Sequence, residues 1–488
     1  MPARPSIQPA DNREQGKMRF RSSRFMGVIS ICAVLGSAHA NAVAAGAQLD
    51  SPEAVLASLH AKITCSNRFI AGIDARRTAA EDLRGFGEAE TVVDVERRSV
   101  TARIGAASET SVFSPGTGCT AVVGTTPDAL RTRNVALAAQ LKALHYADAP
   151  LATMEDATGI DYRQLNSALD AAFRETGDGE RKNTRAIVVM HDGKIIAERY
   201  APGVTVDTPL SGFSMTKSVL SVVIGSLVEK RVLKGVTERV GLSQWRKPGD
   251  RRANITYDDL MRMTTGLAWN EDYADPMSDA LVTLFGSYDS SSLAATRTTY
   301  MPGERYYNYS SGDTQILSAA IRELLTRAGL DAQLYPYQAL FAPLGMKSAQ
   351  LEMDAAGNPL YAAFLYASAR DWARLGQFLL AGGRIGERQL LPDGWVRYAT
   401  TPTAESDSQQ GALFAVNAGE YPMWPSLPTD TYAALGIRGQ RLLVIPSKSL
   451  VVVRLGASVP ESAWNVEEFA AQILRAVGGA DTTAARAR

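Results

Sequence analysis

The stretch from Leu210 to Val232 constrains the fold of this chain more than any other segment. Between Val219 and Val228 it carries no charged residue, and apolar side chains occupy almost every face of a helix. A helix that is apolar on most faces is buried in a domain core. With 488 residues, the chain is long enough for two or three structural units and a large core. The stretch therefore predicts a helix in the interior of one of these units.

A serine and a lysine lie at the start of this helix, in a Ser-x-x-Lys pattern that occurs once in the sequence, at Ser214 and Lys217. Residues three apart share a helix face, so both side chains point the same way. A desolvated lysine can take or polarise the serine proton, and a helix N-terminus favours developing negative charge. The pattern alone arises by chance about once or twice in a chain of this length. It indicates a nucleophile only together with the buried continuation and with motifs further along the chain.

Charge and histidine spacing limit the classes of function. Lys+Arg and Asp+Glu each number 51, so the net charge is zero, and no basic stripe with interleaved aromatic residues is present. Nucleic acid is therefore not an expected partner. The four histidines show no ligand spacing to one another or to the cysteines, so we expect neither a metal nor a cofactor. These histidines are His39, His60, His145 and His191.

Residues 18–40 have the pattern of a secretory signal. Three arginines precede an apolar run from Phe25 to Leu35, which is too short to span a membrane, and Ala38-His39-Ala40 offers a small-x-small cleavage site. We expect Met18 to be the true start and residues 1–17 to be disordered or upstream of it. The mature protein is then periplasmic or secreted, without stable membrane insertion. An uncleaved anchor is the alternative.

Two cysteines remain after removal of this signal, because Cys32 leaves with it. An even pair in an oxidising compartment predicts a disulfide between Cys65 and Cys119. The alternative is two separate buried thiols.

Beyond the signal, the pattern divides the chain into a small extension and a larger unit. Residues 50–125 predict a helix, a hairpin and a further strand, and residues 126–180 predict a linker with helices. Residues 185–477 begin with a hairpin and the Ser214 helix, continue through a mostly helical region at about 255–400, and end in two apolar strands and a helix. A polar tail follows at 478–488. This order predicts an α/β sandwich.

Five motifs follow one another along the larger unit: Ser214-Met215-Thr216-Lys217, Met263-Thr264-Thr265-Gly266-Leu267, Tyr309-Ser310-Ser311-Gly312, Ala369-Arg370-Asp371-Trp372 and Gly436-Ile437-Arg438-Gly439-Gln440. In this order they resemble the class C-like branch of the serine β-lactamase and penicillin-binding-protein superfamily. The segment from Asn270 to Pro276 and the Gly439-Gln440 pair resemble the 6-aminohexanoate-dimer hydrolase group. The resemblance covers about residues 185–475. It implies an antiparallel sheet flanked by helices, with an inserted mostly helical region and a small α+β extension outside this core.

The resemblance also implies a mechanism. Ser214 would attack a carbonyl to form an acyl-enzyme, Lys217 would take or polarise its proton, and Tyr309 would carry a proton to the leaving group and later activate water. Tyr306-Tyr307-Asn308 is an alternative for the family's second motif, because it matches Tyr-x-Asn literally. Tyr309 is preferred because the opening of a helix follows it directly.

Further site residues follow from the same resemblance. The oxyanion hole would combine the Ser214 N–H with one from the strand that Gly439-Gln440 begins, and Gln440 is the predicted donor. Arg438 is a candidate partner for a substrate carboxylate. Tyr273 lies where the dimer hydrolases place a substrate-contacting tyrosine, and a packing role on a loop is its alternative.

Two departures from the family pattern bear on the substrate. Arg438-Gly439 stands where lactamases and transpeptidases carry Lys-Thr-Gly, and Ser311 replaces the asparagine of Tyr-x-Asn. We therefore expect an exported serine hydrolase acting on a small-molecule amide or ester. A β-lactamase, a D-alanyl carboxypeptidase or an aminopeptidase is the alternative within enzymes. A catalytically idle envelope protein that binds a ligand is the alternative from another class.

Overall fold

The computed structural model describes residues 46–478, except residues 176, 178 and 299–304. The predicted signal at 18–40, the segment before it and residues 479–488 of the predicted tail lie outside the described residues. Within the described ranges, no helix combines the length and the hydropathy needed to cross a membrane.

Helices and short strands follow one another along the described chain. The helices are α1 (Pro52–Phe69), α2 (Ala75–Glu81), α3 (Pro127–Lys142), α4 (Tyr162–Phe173), α5 (Met215–Glu229), α6 (Tyr257–Met261), α7 (Asp279–Phe285), α8 (Ser290–Ala294), α9 (Ser311–Arg327), α10 (Ala369–Leu380), α11 (Trp395–Ala399) and α12 (Val466–Val477). The strands are β1 (Glu90–Asp94), β2 (Ser99–Ile104), β3 (Ala107–Ser114), β4 (Gly118–Ala121), β5 (Thr184–His191), β6 (Lys194–Tyr200), β7 (Leu210–Ser211), β8 (Gln350–Leu351), β9 (Leu365–Ala367), β10 (Arg384–Ile385), β11 (Arg388–Gln389), β12 (Ala415–Val416), β13 (Tyr432–Gly436), β14 (Gln440–Ile445) and β15 (Leu450–Gly456).

A six-stranded antiparallel sheet in the order β12-β13-β14-β15-β5-β6 forms the centre of the larger unit. Side chains of α4 and α12 pack on one face of this sheet. Helices α5 and α10 cover the other face, within the largest apolar cluster. Because both faces are covered, every residue of β15 is buried. The predicted α/β sandwich with an antiparallel sheet flanked by helices is confirmed.

Helix α5 lies in the interior, as its apolar sequence predicts. Every residue from Met215 to Leu227 is buried. Glycine is required at the turn before the helix, because a Cβ on Gly212 would collide with the indole of Trp372 from α10. Close backbone approach of this kind is a common reason for glycine at a buried turn.

The inserted region contains strands that its sequence did not predict. Helices α6 to α10 occupy much of residues 255–400, but β8 and β9 also form a small sheet with β7, which directly precedes Ser214. Strands β12 and β13 of the main sheet were missed as well. Strands β8, β9 and β12 have only two or three residues, too few to show the alternation by which a half-buried strand is recognised, and the five residues of β13 are buried almost throughout and do not alternate.

The N-terminal extension packs α1 across a four-stranded antiparallel sheet of β1 to β4, of which β3 was not predicted. The structure joins Cys65 of α1 to Cys119 of β4 in a disulfide. Next to it, the Lys62 ammonium group lies 2.5 Å from the Glu352 carboxylate of the larger unit, and both side chains are fully buried. Helix α1 also packs against α7. The extension is thus tied covalently within itself and by a buried ion pair to the rest of the chain.

Candidate active site

Ser214 lies at the N-terminus of α5, on a turn whose backbone is strained. The preceding residue, Phe213, has a φ of 44°, in the left-handed region that costs a bulky residue about 1–3 kcal/mol. Packing overcomes this cost, because Gly212 is pressed against Trp372 and the Phe213 side chain is buried in an apolar cluster. The Ser214 hydroxyl is thereby held at the entrance of the helix, beside two clefts.

Lys217 is buried one helical turn further along and reaches back to the serine. Its Nζ donates to Ser214 Oγ at 3.1 Å, to Ser311 Oγ at 3.1 Å and to the carbonyl of Ala362 at 2.7 Å. Burial lowers the pKa of Lys217 to about 8, and the negative charge of Glu271 opposes this shift. An amine with such a pKa is partly neutral near pH 7, and its lone pair can then accept the serine proton.

Glu271 is the acceptor at the centre of a hydrogen-bond network behind Lys217. One carboxylate oxygen accepts from the hydroxyls of Ser311 and Tyr273, and the other accepts from the Ser311 N–H and the Trp269 indole. Because Ser311 Oγ also accepts from Lys217, the carboxylate is linked to the lysine through a single side chain. Glu271 was not among the predicted site residues. Its only signal was its place within the segment from Asn270 to Pro276.

Tyr309 lies beside Lys217, whose Nζ is 5.1 Å from the centre of the tyrosine ring. Burial and, secondarily, the charge of Glu271 raise the pKa of Tyr309 well above its usual value, while a hydrogen bond with Ser214 acts in the opposite direction. The phenol is therefore protonated at neutral pH and available as a proton donor. Tyr306, the first residue of the alternative motif, is exposed to solvent.

The backbone N–H groups of Ser214 and Ile437 form a candidate oxyanion hole, whereas the sequence had predicted Gln440 as the second donor. Leu435 lines the cleft on one side of Ser214 and Ile437 lines the cleft on the other, so the chain passes the serine between them. A Cβ on Gly436 would collide with the Gly212 carbonyl, which shows how closely the two segments approach. Among the described residues, neither the Ser214 N–H nor the Ile437 N–H donates a hydrogen bond.

Gln440 lies away from both clefts, contrary to its predicted place in the oxyanion hole. It is buried in β14, where its side-chain amide exchanges two hydrogen bonds with the backbone of Gly456. Gly439 packs beneath Arg454 and also lines neither cleft. The geometry thus favours Ile437 as the backbone donor. The chain turns between Gly436 and Gln440, so Ile437 lines a cleft beside Ser214 and Gln440 does not.

Arg438 and Tyr273 both line the same cleft as Ser214. The Arg438 guanidinium donates to the carbonyl of Arg84 at 2.6 Å and lies over the ring of Phe86, so both of these partners belong to the N-terminal extension. Burial lowers the pKa of Arg438. The Tyr273 hydroxyl is engaged by Glu271 at 2.6 Å, and its ring forms part of the cleft wall.

Ser214 stands between two clefts of different character. The first has a wall of leucine, isoleucine and phenylalanine side chains from α1, α7 and the loop after α2. The second contains Lys217 and Tyr309 together with Arg262 and Gln410. In the part of the chain that the structure describes, no group of three or more His, Cys, Asp or Glu side chains is arranged to hold a metal ion.

The sequence is similar to those of known proteins of one family. The sequence profile described as Beta-lactamase matches residues 169–474. The chain is 26% identical over 305 residues to the 6-aminohexanoate-dimer hydrolase of Paenarthrobacter ureafaciens. The matched region covers 57% of this chain and 74% of that protein.

Solved structures with low sequence identity are also similar to this chain. The putative 6-aminohexanoate-dimer hydrolase from Bacillus anthracis is 19% identical with a TM-score of 0.48, over 67% of this chain and 86% of that one. EstCE1, a hydrolase with promiscuous acyltransferase activity, is 16% identical with a TM-score of 0.50, over 65% of this chain and 99% of that one. The family resemblance drawn from the motifs is confirmed. The profile match spans well over half of the sequence, and the chain belongs to the β-lactamase family as a serine hydrolase.

Proposed function

We propose that the protein hydrolyses an amide or ester through an acyl-enzyme on Ser214. The observation that carries this proposal is the buried amine of Lys217, 3.1 Å from Ser214 Oγ and with a pKa near 8. When neutral, the amine retains two N–H groups for the Ala362 carbonyl and Ser311 Oγ, and its lone pair turns to the serine. The serine then attacks the carbonyl carbon as Lys217 takes its proton.

The remaining groups fit the two halves of this reaction. Negative charge on the carbonyl oxygen is stabilised by the N–H groups of Ser214 and Ile437, which are free to donate. Tyr309 passes a proton to the leaving group, because its raised pKa keeps the phenol protonated. After the leaving group departs, deprotonated Tyr309 takes a proton from water as the water attacks the acyl-enzyme, and Lys217 returns its proton to Ser214 as the serine is released.

A linear amide or an ester fits this site better than a β-lactam. Ser311, which stands in place of the family's asparagine, has its hydroxyl occupied by Lys217 and Glu271. Arg438, in the third motif, is held by the carbonyl of Arg84. The similarity to a 6-aminohexanoate-dimer hydrolase supports a linear amide as one substrate class. The signal pattern at 18–40 and the Cys65–Cys119 disulfide support export to an oxidising compartment.

A fluorophosphonate probe tests the nucleophile directly. We expect the wild type to be labelled and Ser214→Ala to be unlabelled, because the probe reacts with an activated serine. Ser226→Ala is the matched control, since Ser226 lies on the same helix and its hydroxyl donates to the Val223 carbonyl, far from the clefts. Equal labelling of wild type and Ser214→Ala, or no labelling of either, would contradict the proposal. Faster turnover of nitrocefin than of every p-nitrophenyl ester and short ω-amino-acid amide would overturn the preferred substrate class.

The charge of Glu271 should be visible in the pH profile. Glu271→Gln removes the negative charge that raises the pKa of Lys217, so that pKa falls. Because the base must be unprotonated, the acidic limb of kcat/KM should move to lower pH in the variant. Asp272→Asn is the control, since it removes one charge from the same loop at an exposed position. An acidic limb that stays in place or moves to higher pH in Glu271→Gln would show that the carboxylate does not act on Lys217.

A further inference from the structure

The N-terminal extension builds part of the wall of the apolar cleft beside Ser214. Leu59 and Ile63 of α1, with Leu83 and Phe86 after α2, face Leu284 and Phe285 of α7 across this cleft. These four extension residues precede residue 169, where the match to the β-lactamase family begins. The extension therefore contributes surface that a bound substrate would touch.

Polar groups in this cleft are engaged by the protein itself. The Asp82 carboxylate pairs with the Arg185 guanidinium at 2.5 Å, and the Tyr273 hydroxyl donates to Glu271. Arg438 donates to the carbonyl of Arg84. The remaining surface is apolar apart from Ser214, so the cleft offers a ligand little besides burial of hydrocarbon.

The catalytic groups determine which part of a substrate enters this cleft. Lys217 and Tyr309, the groups that carry protons, line the second cleft, so the leaving group must lie there to receive one. The oxyanion lies at the N–H groups of Ser214 and Ile437. The remaining substituent of the carbonyl carbon is the acyl chain, and it is directed into the apolar cleft, whose lining includes Ser214 and Ile437.

The wall is held in place without a ligand. The disulfide joins α1 to β4, and the buried Lys62–Glu352 pair joins α1 to the larger unit. Lys62 also lies 4.3 Å from the centre of the Phe364 ring, which lines the same cleft. A preformed apolar wall binds hydrocarbon without the cost of ordering a loop.

We propose that the extension and α7 together form an acyl-binding pocket that selects substrates with an uncharged hydrocarbon acyl chain. This inference rests on the proposed function, since it concerns the acyl half of the same reaction. Transfer of hydrocarbon from water contributes about 0.8 kcal/mol per methylene, which corresponds to about fourfold in kcat/KM for each methylene placed in the pocket.

A series of p-nitrophenyl esters from acetate to hexanoate tests the pocket, because the leaving group is constant. For the wild type, kcat/KM should rise about fourfold per methylene until the pocket is filled. Phe86→Ala opens the wall to water and should lower the hexanoate-to-acetate ratio of kcat/KM about fivefold to tenfold. Phe86→Leu, which keeps the wall apolar, should retain most of the ratio.

Phe69→Ala is the matched control. Phe69 is a half-buried phenylalanine of the same extension, but it packs beside Phe113 and the disulfide, away from the cleft. Its variant should keep the wild-type ratio. The pocket would be overturned if kcat/KM did not change with chain length, or if it changed equally in Phe86→Ala and Phe69→Ala, while Ser214-dependent turnover persisted. Either result would leave the proposed hydrolase activity in place. Absence of Ser214-dependent turnover with every ester would overturn both.

Discussion

Replacing Lys217 by methionine should lower kcat by ~10²-fold to ~10⁴-fold, the range expected when a general base is lost. Methionine fills the space of the lysine stem without a charge, so the buried helix should remain folded. The pH profile supplies a second readout. In the wild type, kcat/KM should rise as the pH increases through about 8, because the neutral form of Lys217 accumulates. That acidic limb should be absent from the variant.

Lys230→Met is the control for this experiment. Lys230 lies at the opposite end of the same helix, where its ammonium group is 5.0 Å from the centre of the Tyr335 ring. The Lys230→Met variant should retain near-wild-type kcat, because Lys230 has no contact with Ser214. Turnover by Lys217→Met within about threefold of wild type would remove Lys217 from the mechanism.

Lys62→Met should destabilise the protein by about 3–5 kcal/mol, because it leaves the buried Glu352 carboxylate without its cation. Among the residues that the structure describes, the Cys119 N–H and the Ser66 hydroxyl would remain as donors to the carboxylate. We expect the urea midpoint to fall accordingly. Burial already raises the pKa of Glu352 and lowers that of Lys62, so each charge depends on the other.

Adding Glu352→Gln to this variant should recover part of the loss. Glutamine is neutral, and its carbonyl oxygen can still accept from the Cys119 N–H, so no uncompensated charge stays buried. Arg97→Ala is the surface control. The Arg97–Asp94 pair is exposed and 4.0 Å apart, and its loss should cost less than about 1 kcal/mol. If Lys62→Met and Arg97→Ala cost the same, the buried pair does not anchor the extension.

Elements with a strong local pattern were predicted well. The helix predicted after the two apolar strands is α12 (Val466–Val477), and α5 begins next to Ser214 and is buried over most of its length. Helix periodicity repeats within a few residues, so it can be read without knowledge of the fold. The same locality explains why Ser214 and Lys217 could be paired in advance, since one helical turn places them together.

Contacts between segments that are distant in sequence could not be predicted from local periodicity. Glu271 reaches Ser311, 40 residues away, and the hydrogen bonds between them are visible only once the loops pack. Gln440 was preferred as the oxyanion donor because its motif resembles a family pattern. The turn between β13 and β14 directs it away from the serine and brings Ile437 beside it. A backbone donor leaves no side-chain signature, so only the path of the chain identifies it.

The sequence by itself determined the family and the α/β sandwich, and it predicted Ser214 as the nucleophile with Lys217 as its base, because these inferences depend on short motifs and local periodicity. Only the tertiary structure decided what surrounds the serine. It placed Glu271 behind Lys217, separated a polar cleft from an apolar one, and brought Leu59 and Phe86 of the extension to the cleft wall. These are contacts between distant segments, set by packing and by a disulfide and a buried ion pair, which no local pattern encodes.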